Sequence, residues 1–298
     1  MLRQTIIGVI NLSFPIIVAC QFYPALLTSV WGRLICCLLL GSYVYYLNKK
    51  TADTMVTSFR FTPSAAWKDE LSTLVSDCGV DPHTITINYA YTAENTAMAV
   101  YRTLVLDPVV ASTIAEDPEA QKVMDIFQKF VEPGLSPLQK TRLAETKQFF
   151  TPAAQRFVFR HELGHVVYNF SQKKLGVIFL IGASSAWCAL SIAALVVSVN
   201  GIAAIVAGMV VGGVADLVFT YTSNFFFKIH EEKKADLFAA QYSSPEEIEA
   251  AALFFEKHAE LQEQHGDKNF LAKLPSAWRS GHPEGRDRAA YLRGLLSK

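Results

Sequence analysis

The chain has 298 residues and a balanced charge, with 27 Lys+Arg against 27 Asp+Glu. No domain-wide basic excess is present, which excludes the electrostatic footprint of a nucleic-acid partner. Hydrophobic residues make up 51% of the chain, and they gather in two blocks that read as membrane segments, so a lipid bilayer is an expected partner.

The first block runs from about Thr5 to Leu47, with Arg33 as its only charge. It is too long for the apolar core of a signal peptide and long enough for two spans. Gln21-Phe22-Tyr23-Pro24 supplies a turn, which predicts a hairpin of helices at 5–21 and 25–47. Asn48-Lys49-Lys50 closes the block, and Trp31, Tyr43, Tyr45 and Tyr46 suit interfacial positions. The five cysteines, Cys20, Cys36, Cys37, Cys78 and Cys188, show no C-x-x-C spacing and are odd in number, so no disulfide framework or cysteine metal site is read from them.

From Thr51 to Phe150 the composition becomes that of a soluble domain. Pro63–Cys78 reads as an amphipathic helix stopped by Gly79. His83–Tyr89 alternates like a strand, and Thr96–Leu106 reads as a second one. Helices follow at about Pro118–Val131 and Ser136–Phe149. Thr151-Pro152 is then a start signal, a capping hydroxyl followed by proline at the first helical position.

The helix that begins there carries His161-Glu162-Leu163-Gly164-His165, the H-E-x-x-H pattern. Positions i and i+4 of a helix share a face, so both imidazoles can turn to one metal ion. Glu162, next to the first of them, can reach a water on that metal. By itself the pattern is short enough to arise by chance, and a His pair on a helix can be ordinary surface. The strands ahead of this helix have two readings. An edge strand beside a metal can pair with an extended substrate, or the strands simply roof the core.

The second apolar block runs nearly uncharged from Leu175 to Phe227, with a turn at Asn200-Gly201, and predicts spans at 175–198 and 202–227. Gly208 and Gly212 form a G-x-x-x-G spacing that permits close helix approach. Asp216 is the one charge within the second span, read either as a functional group or as a position at the membrane edge. Two hairpins return the chain each time to its starting side. Lys49, Lys50, Lys173, Lys174 and Lys228 flank the spans there, so the positive-inside rule puts the domain with the motif in the cytoplasm, and Arg33 alone counts against it.

A third metal ligand is needed. The longer H-E-x-x-H-x-x-G-x-x-H form would want glycine at 168 and histidine at 171, but Tyr168 and Ser171 stand there. Between His165 and Asp216 there is no acidic residue and no histidine, so the ligand comes from beyond the hairpin. The first cluster there is His230-Glu231-Glu232-Lys233-Lys234-Ala235-Asp236. Glu232 and Asp236 lie at i and i+4 on one face, while Glu231 points about 100° away and reads as a solvated charge.

H-E-L-G-H, an apolar hairpin and then E-x-x-A-D together resemble the integral-membrane zinc endopeptidases that include HtpX and the CAAX prenyl proteases. His282-Pro283 with Arg288 resembles that family's H-P…R segment, and Asn95-Thr96-Ala97 is similar to its N-A-F stretch, without the Phe. The resemblance covers roughly residues 95–298. It implies a membrane protein, mainly α with a small β-sheet, built as a gluzincin-like metalloprotease domain with two transmembrane hairpins. It implies one zinc ion per chain on His161, His165 and Glu232, with Glu162 as general base. Asp236 would hydrogen-bond a ligand imidazole, His282 and Arg288 would contact substrate or stabilise the oxyanion, and Asn95 would bind substrate. The expected parts are a hairpin at 1–50, a metalloprotease part at 51–172, a second hairpin at 173–228 and a C-terminal part at 229–298. The expected substrates are polypeptides, in particular misfolded or membrane proteins, cleaved at an inner or cell membrane by a multi-pass enzyme. Two other readings remain at this point, an intramembrane protease of the site-2 type and a non-catalytic membrane protein that binds partners through its soluble domain.

In the tail, Ser244-Pro245 starts a helix that runs to about His265. Residues 267–281 read as a loop, and a last helix at about 283–296 carries Arg288.

Overall fold

The structure is a computed structural model and describes residues 29–58, 61–92, 96–196, 201–265 and 285–297. Ten helices and three strands can be named among them: α1 Val30–Ser58, α2 Ala65–Asp77, β1 Thr86–Tyr89, β2 Ala97–Val100, β3 Thr103–Leu106, α3 Pro118–Ile126, α4 Pro137–Phe149, α5 Pro152–Val167, α6 Phe170–Val196, α7 Gly201–Ser223, α8 Ile229–Gln241, α9 Pro245–His265 and α10 Gly285–Leu296. The chain divides into two compact units. One comprises Met1–Thr51 and Lys173–Asn224, the other Ala52–Gln172 and Phe225–Lys298.

In the first unit three apolar helices pack side by side. Gly41 of α1 lies against Phe179 and Ala183 of α6, while Arg33 sits over the Trp187 ring and bonds Ser191 Oγ, so α1 and α6 run antiparallel. Gly208 and Gly212 of α7 lie against Ala189 of α6; a Cβ on Gly212 would come within 2.9 Å of the Ala189 Cβ. The G-x-x-x-G spacing is thus a helix contact, as small residues in apolar helices permit. Large apolar side chains such as Leu39, Leu180, Leu195 and Val210 point outward. Among the described residues two helices are long and apolar enough to cross a membrane, Val30–Thr54 and Phe170–Leu195, and Val206–Thr220 is a shorter apolar helix. The expected span at 5–21 lies outside the described residues. The expected stop at Asn48-Lys49-Lys50 does not end a helix, because α1 continues to Ser58. Lysine is a good helix former, so a change from apolar to charged composition moves the surroundings of a helix without breaking it.

The second unit holds a three-stranded sheet in the order β1-β3-β2. β3 is central, parallel to β1 and antiparallel to β2, with Thr86 opposite Thr103 and Ala97 opposite Leu106. All four β3 residues, Thr-Leu-Val-Leu, are buried. The stretch expected as one strand over 96–106 is a hairpin. Tyr101, at φ 54°, turns the chain between β2 and β3. A tyrosine in the left-handed region carries none of the Gly or Asn signal that marks such turns. The strand expected at 83–89 is shortened because the Asp81 carboxylate accepts from His83 N and caps a tight turn over Pro82–Thr84. The other helix starts follow local chemistry. Ser136 and Gln139 form a capping box, Asp117 caps α3, and Thr151 accepts from Ala154 N at the head of α5.

The core of this unit gathers around α5. Phe157 and Leu163 are fully buried, with Leu104, Ala239, Phe254 and Leu292 in the same cluster. β2, α8 and α9 pack on α5, and α10 packs on α9.

Candidate metal centre

α5 presents His161 and His165 on one face, and α8 lies across it. Gly164 makes this crossing possible. A Cβ on Gly164 would stand 3.1 Å from the Ala235 Cα and 3.3 Å from the Phe238 Cβ. Ala235 is itself fully buried. The two small residues inside H-E-L-G-H and E-x-x-A-D are therefore the point where the helix backbones meet. Close approach there brings the Glu232 carboxylate, one turn before Asp236, to the imidazoles.

The ligand atoms of His161, His165 and Glu232 converge. His161 Nε2 and His165 Nε2 are 3.1 Å apart. Glu232 places Oε2 3.3 Å from the first and Oε1 3.5 Å from the second. A zinc ion about 2.0–2.1 Å from each of three tetrahedrally disposed donors spans donor–donor edges of about 3.3–3.4 Å. The Nε2–Nε2 and His161 Nε2–Oε2 separations come close to those edges, Oε1 rather than Oε2 is the oxygen facing His165, and two imidazoles with one carboxylate suit zinc. His161 is 4% exposed and Glu232 5%, while His165 is half-buried.

Asp236 stands behind the first histidine. Its Oδ1 lies 2.8 Å from His161 Nδ1, which leaves Nε2 facing the other donors. Asp236 is 1% exposed, and burial alone would favour its neutral form. The Arg288 guanidinium and His161 outweigh that and hold its carboxyl below the usual carboxylate value. Burial likewise disfavours a charge on His161, but Asp236 and then Glu232 more than compensate and raise the imidazole to about 9.

Arg288, on α10, grips Asp236 with two hydrogen bonds, Nη2 to Oδ1 at 2.6 Å and Nε to Oδ2 at 3.1 Å. Its Nη2 is 3.4 Å from His161 Nδ1 and its Nη1 3.8 Å from Glu232 Oε2. Arg288 thus lies against the acid behind the ligand, beside the metal-binding carboxylate. Glu162 is half-buried, on the helix beside His161, and its charge acts on Arg288. His282 and Asn95 lie outside the described residues.

Several features of this centre carry no motif. Glu231, expected as a solvated charge, is only 7% exposed. It enters α8 within the same packed turn as Glu232, so adjacency to the crossing buries both. Arg160 and Arg156 of α5 are held by Glu247 at the head of α9, at 2.6 Å each, and Arg160 also bonds Ser243 Oγ. Gln155 bonds Thr113, Ser112 Oγ and the Phe150 carbonyl. The linker after α5 joins in as well. Asn169 turns at φ 55°, the Phe170 ring sits edge-on to His165, and Ser171 Oγ accepts from Tyr101 N at the hairpin tip. Glu247 lies 91 residues from Arg156 and 87 from Arg160, and no spacing marks it as their partner.

Residues 80–296 match the model of peptidase family M48. The chain belongs to peptidase family M48. That membership supports a metallopeptidase function, with a peptide as the substrate, and the converged His161, His165 and Glu232 are a group able to hold the metal. The match to M48 takes in both motifs and the apolar helices between them. No curated protein and no solved structure matches the chain.

Proposed function

We propose that this M48 peptidase is a zinc-dependent, membrane-bound endopeptidase of the HtpX type that cleaves misfolded or membrane proteins. The observation that carries the reading is the convergence of His161, His165 and Glu232, whose ligand atoms lie within 4.8 Å of one another, with Glu162 on the adjoining position of the same helix. Zinc bound there would supply a Lewis acid for the peptide carbonyl and for water. Glu162 takes the proton from the attacking water and returns it to the leaving amine. Asp236 keeps the proton of His161 on Nδ1, so that Nε2 serves as ligand, and Arg288 fixes Asp236. By resemblance, His282 stabilises the oxyanion and Asn95 binds the substrate chain.

The membrane part of the proposal rests on α1 and α6, which are long and apolar enough to span, and on the resemblance. It takes 1–50 and 173–228 as two hairpins that anchor the metalloprotease parts 51–172 and 229–298. The lysines flanking the apolar blocks favour a cytoplasmic catalytic side. A site-2 arrangement would need the motif helix inside the membrane. α5 instead spends Gln155, Arg156 and Arg160 on polar partners, and among the described residues it is not one of the helices able to span.

The test is cleavage of casein by the purified full chain in detergent with zinc, beside Glu162→Gln. The expected result is a loss of about 10²–10⁴-fold in the variant with zinc content unchanged. Equal cleavage by both proteins would overturn the assigned base.

A further inference from the structure

Phe255 of α9 belongs to the hydrophobic core of the second unit. Its position gives it a second task. The Arg288 Cζ lies 3.8 Å from the centre of the Phe255 ring, so the guanidinium sits over the ring face. The edge of the same guanidinium, Nε and Nη2, is spent on Asp236. Asp236 Oδ1 receives Nη2 and also faces His161 Nδ1. Four side chains therefore stand in series: Phe255, Arg288, Asp236, His161.

The backbone is arranged for this contact. Gly285 begins α10 one turn before Arg288. A Cβ at 285 would run into the carbonyl oxygen of Phe255 itself and come within 3.0 Å of the Ala259 Cβ. The residue that seats the guanidinium is thus also a point of close approach between α9 and α10. Arginine has a long stem with several rotamers, and a two-bond grip on one carboxylate fixes its edge but leaves the plane free to hinge. An aromatic face under the plane removes that freedom.

We infer that Phe255 is a positioning residue for the metal centre: its ring holds Arg288 in the plane that keeps Asp236 on His161. The inference rests on the zinc reading above. Removing a direct partner of a ligand costs about 10–100-fold in metal affinity. Phe255 acts one step further out, so Phe255→Leu is expected to weaken zinc binding about 3–10-fold. Phe255→Tyr keeps the ring face and is expected to bind zinc as the wild type does.

The experiment is zinc affinity by chelator competition on the full chain in detergent, with circular dichroism to check folding. It compares wild type, Phe255→Leu, Phe255→Tyr, Arg288→Ala and the Phe255→Leu, Arg288→Ala double variant. If Phe255 works through Arg288, the leucine substitution has no further effect once Arg288 is gone. A leucine effect of the same size in both backgrounds would mean simple packing and overturn the inference, as would unchanged affinity in Phe255→Leu. Should Phe255→Leu fail to fold, Phe255→Met serves the same comparison. A wild type that takes up no zinc would instead overturn the zinc reading, and the inference with it.

Discussion

Gly164 in the second unit and Gly212 in the first solve one packing problem in two settings. Each lets a neighbouring helix come close enough for its Ala, Ala235 or Ala189, to touch the glycine. Around Gly164 the close crossing serves polar groups, because it brings Glu232 and Asp236 to the histidines. Around Gly212 it joins helices of mostly apolar residues, and large side chains such as Leu180, Leu195, Val206 and Val210 turn outward. In the polar unit the crossing therefore sets distances between charges, where a shift of a few tenths of an ångström alters chemistry. In the apolar unit it chiefly sets contact area.

The largest effect expected is on the charges that the first crossing assembles. Glu232→Ala should take bound zinc from one per chain to near none, measured by metal analysis after dialysis, with cleavage lost in parallel. Retained zinc would remove Glu232 from the ligand set.

Next comes the support of α5 by Glu247. Glu247→Ala leaves the buried Arg160 guanidinium without its carboxylate, which is expected to cost about 3–5 kcal/mol of stability. The pH dependence has a definite sign. Burial raises the Glu247 pKa, but Arg156, the Ser244 backbone and Arg160 lower it more, so the folded value lies below the ordinary one. Its contribution is present above the ordinary carboxylate range and is lost as pH falls through the folded value. Thermal unfolding from neutral pH towards pH 4 should therefore show a steeper decline in wild type than in Glu247→Gln.

The comparison itself is tested by Gly164→Ala against Gly212→Ala. Overpacking costs about 1–3 kcal/mol at either site. Only Gly164→Ala should also weaken zinc binding, since Ala235 offers a backbone atom that cannot swing aside. Equal zinc affinity in the two variants would mean the crossing distance does not control the centre. The smallest effect is that of the helix cap. Thr151→Ala should lower stability by about 1 kcal/mol and leave zinc affinity unchanged, because the cap lies more than two turns from His161.

What the sequence by itself determined was local. The start of α5 at Thr151-Pro152, the capping box of α4 and the i, i+4 pairs His161/His165 and Glu232/Asp236 all follow from interactions within a turn or two of helix, and those repeat wherever the residues do. The apolar blocks were legible because composition alone marks them. The tertiary structure decided what depends on partners far along the chain. It turned 96–106 into a hairpin at Tyr101, since the positive φ there falls on a residue type that carries no turn signal. It buried Glu231 beside Glu232 and gave Arg160 its partner in Glu247. It set Arg288 on Asp236 and Phe255, because the direction of a long side chain is chosen by the charge and the ring that packing puts within reach, and no spacing in the sequence records either.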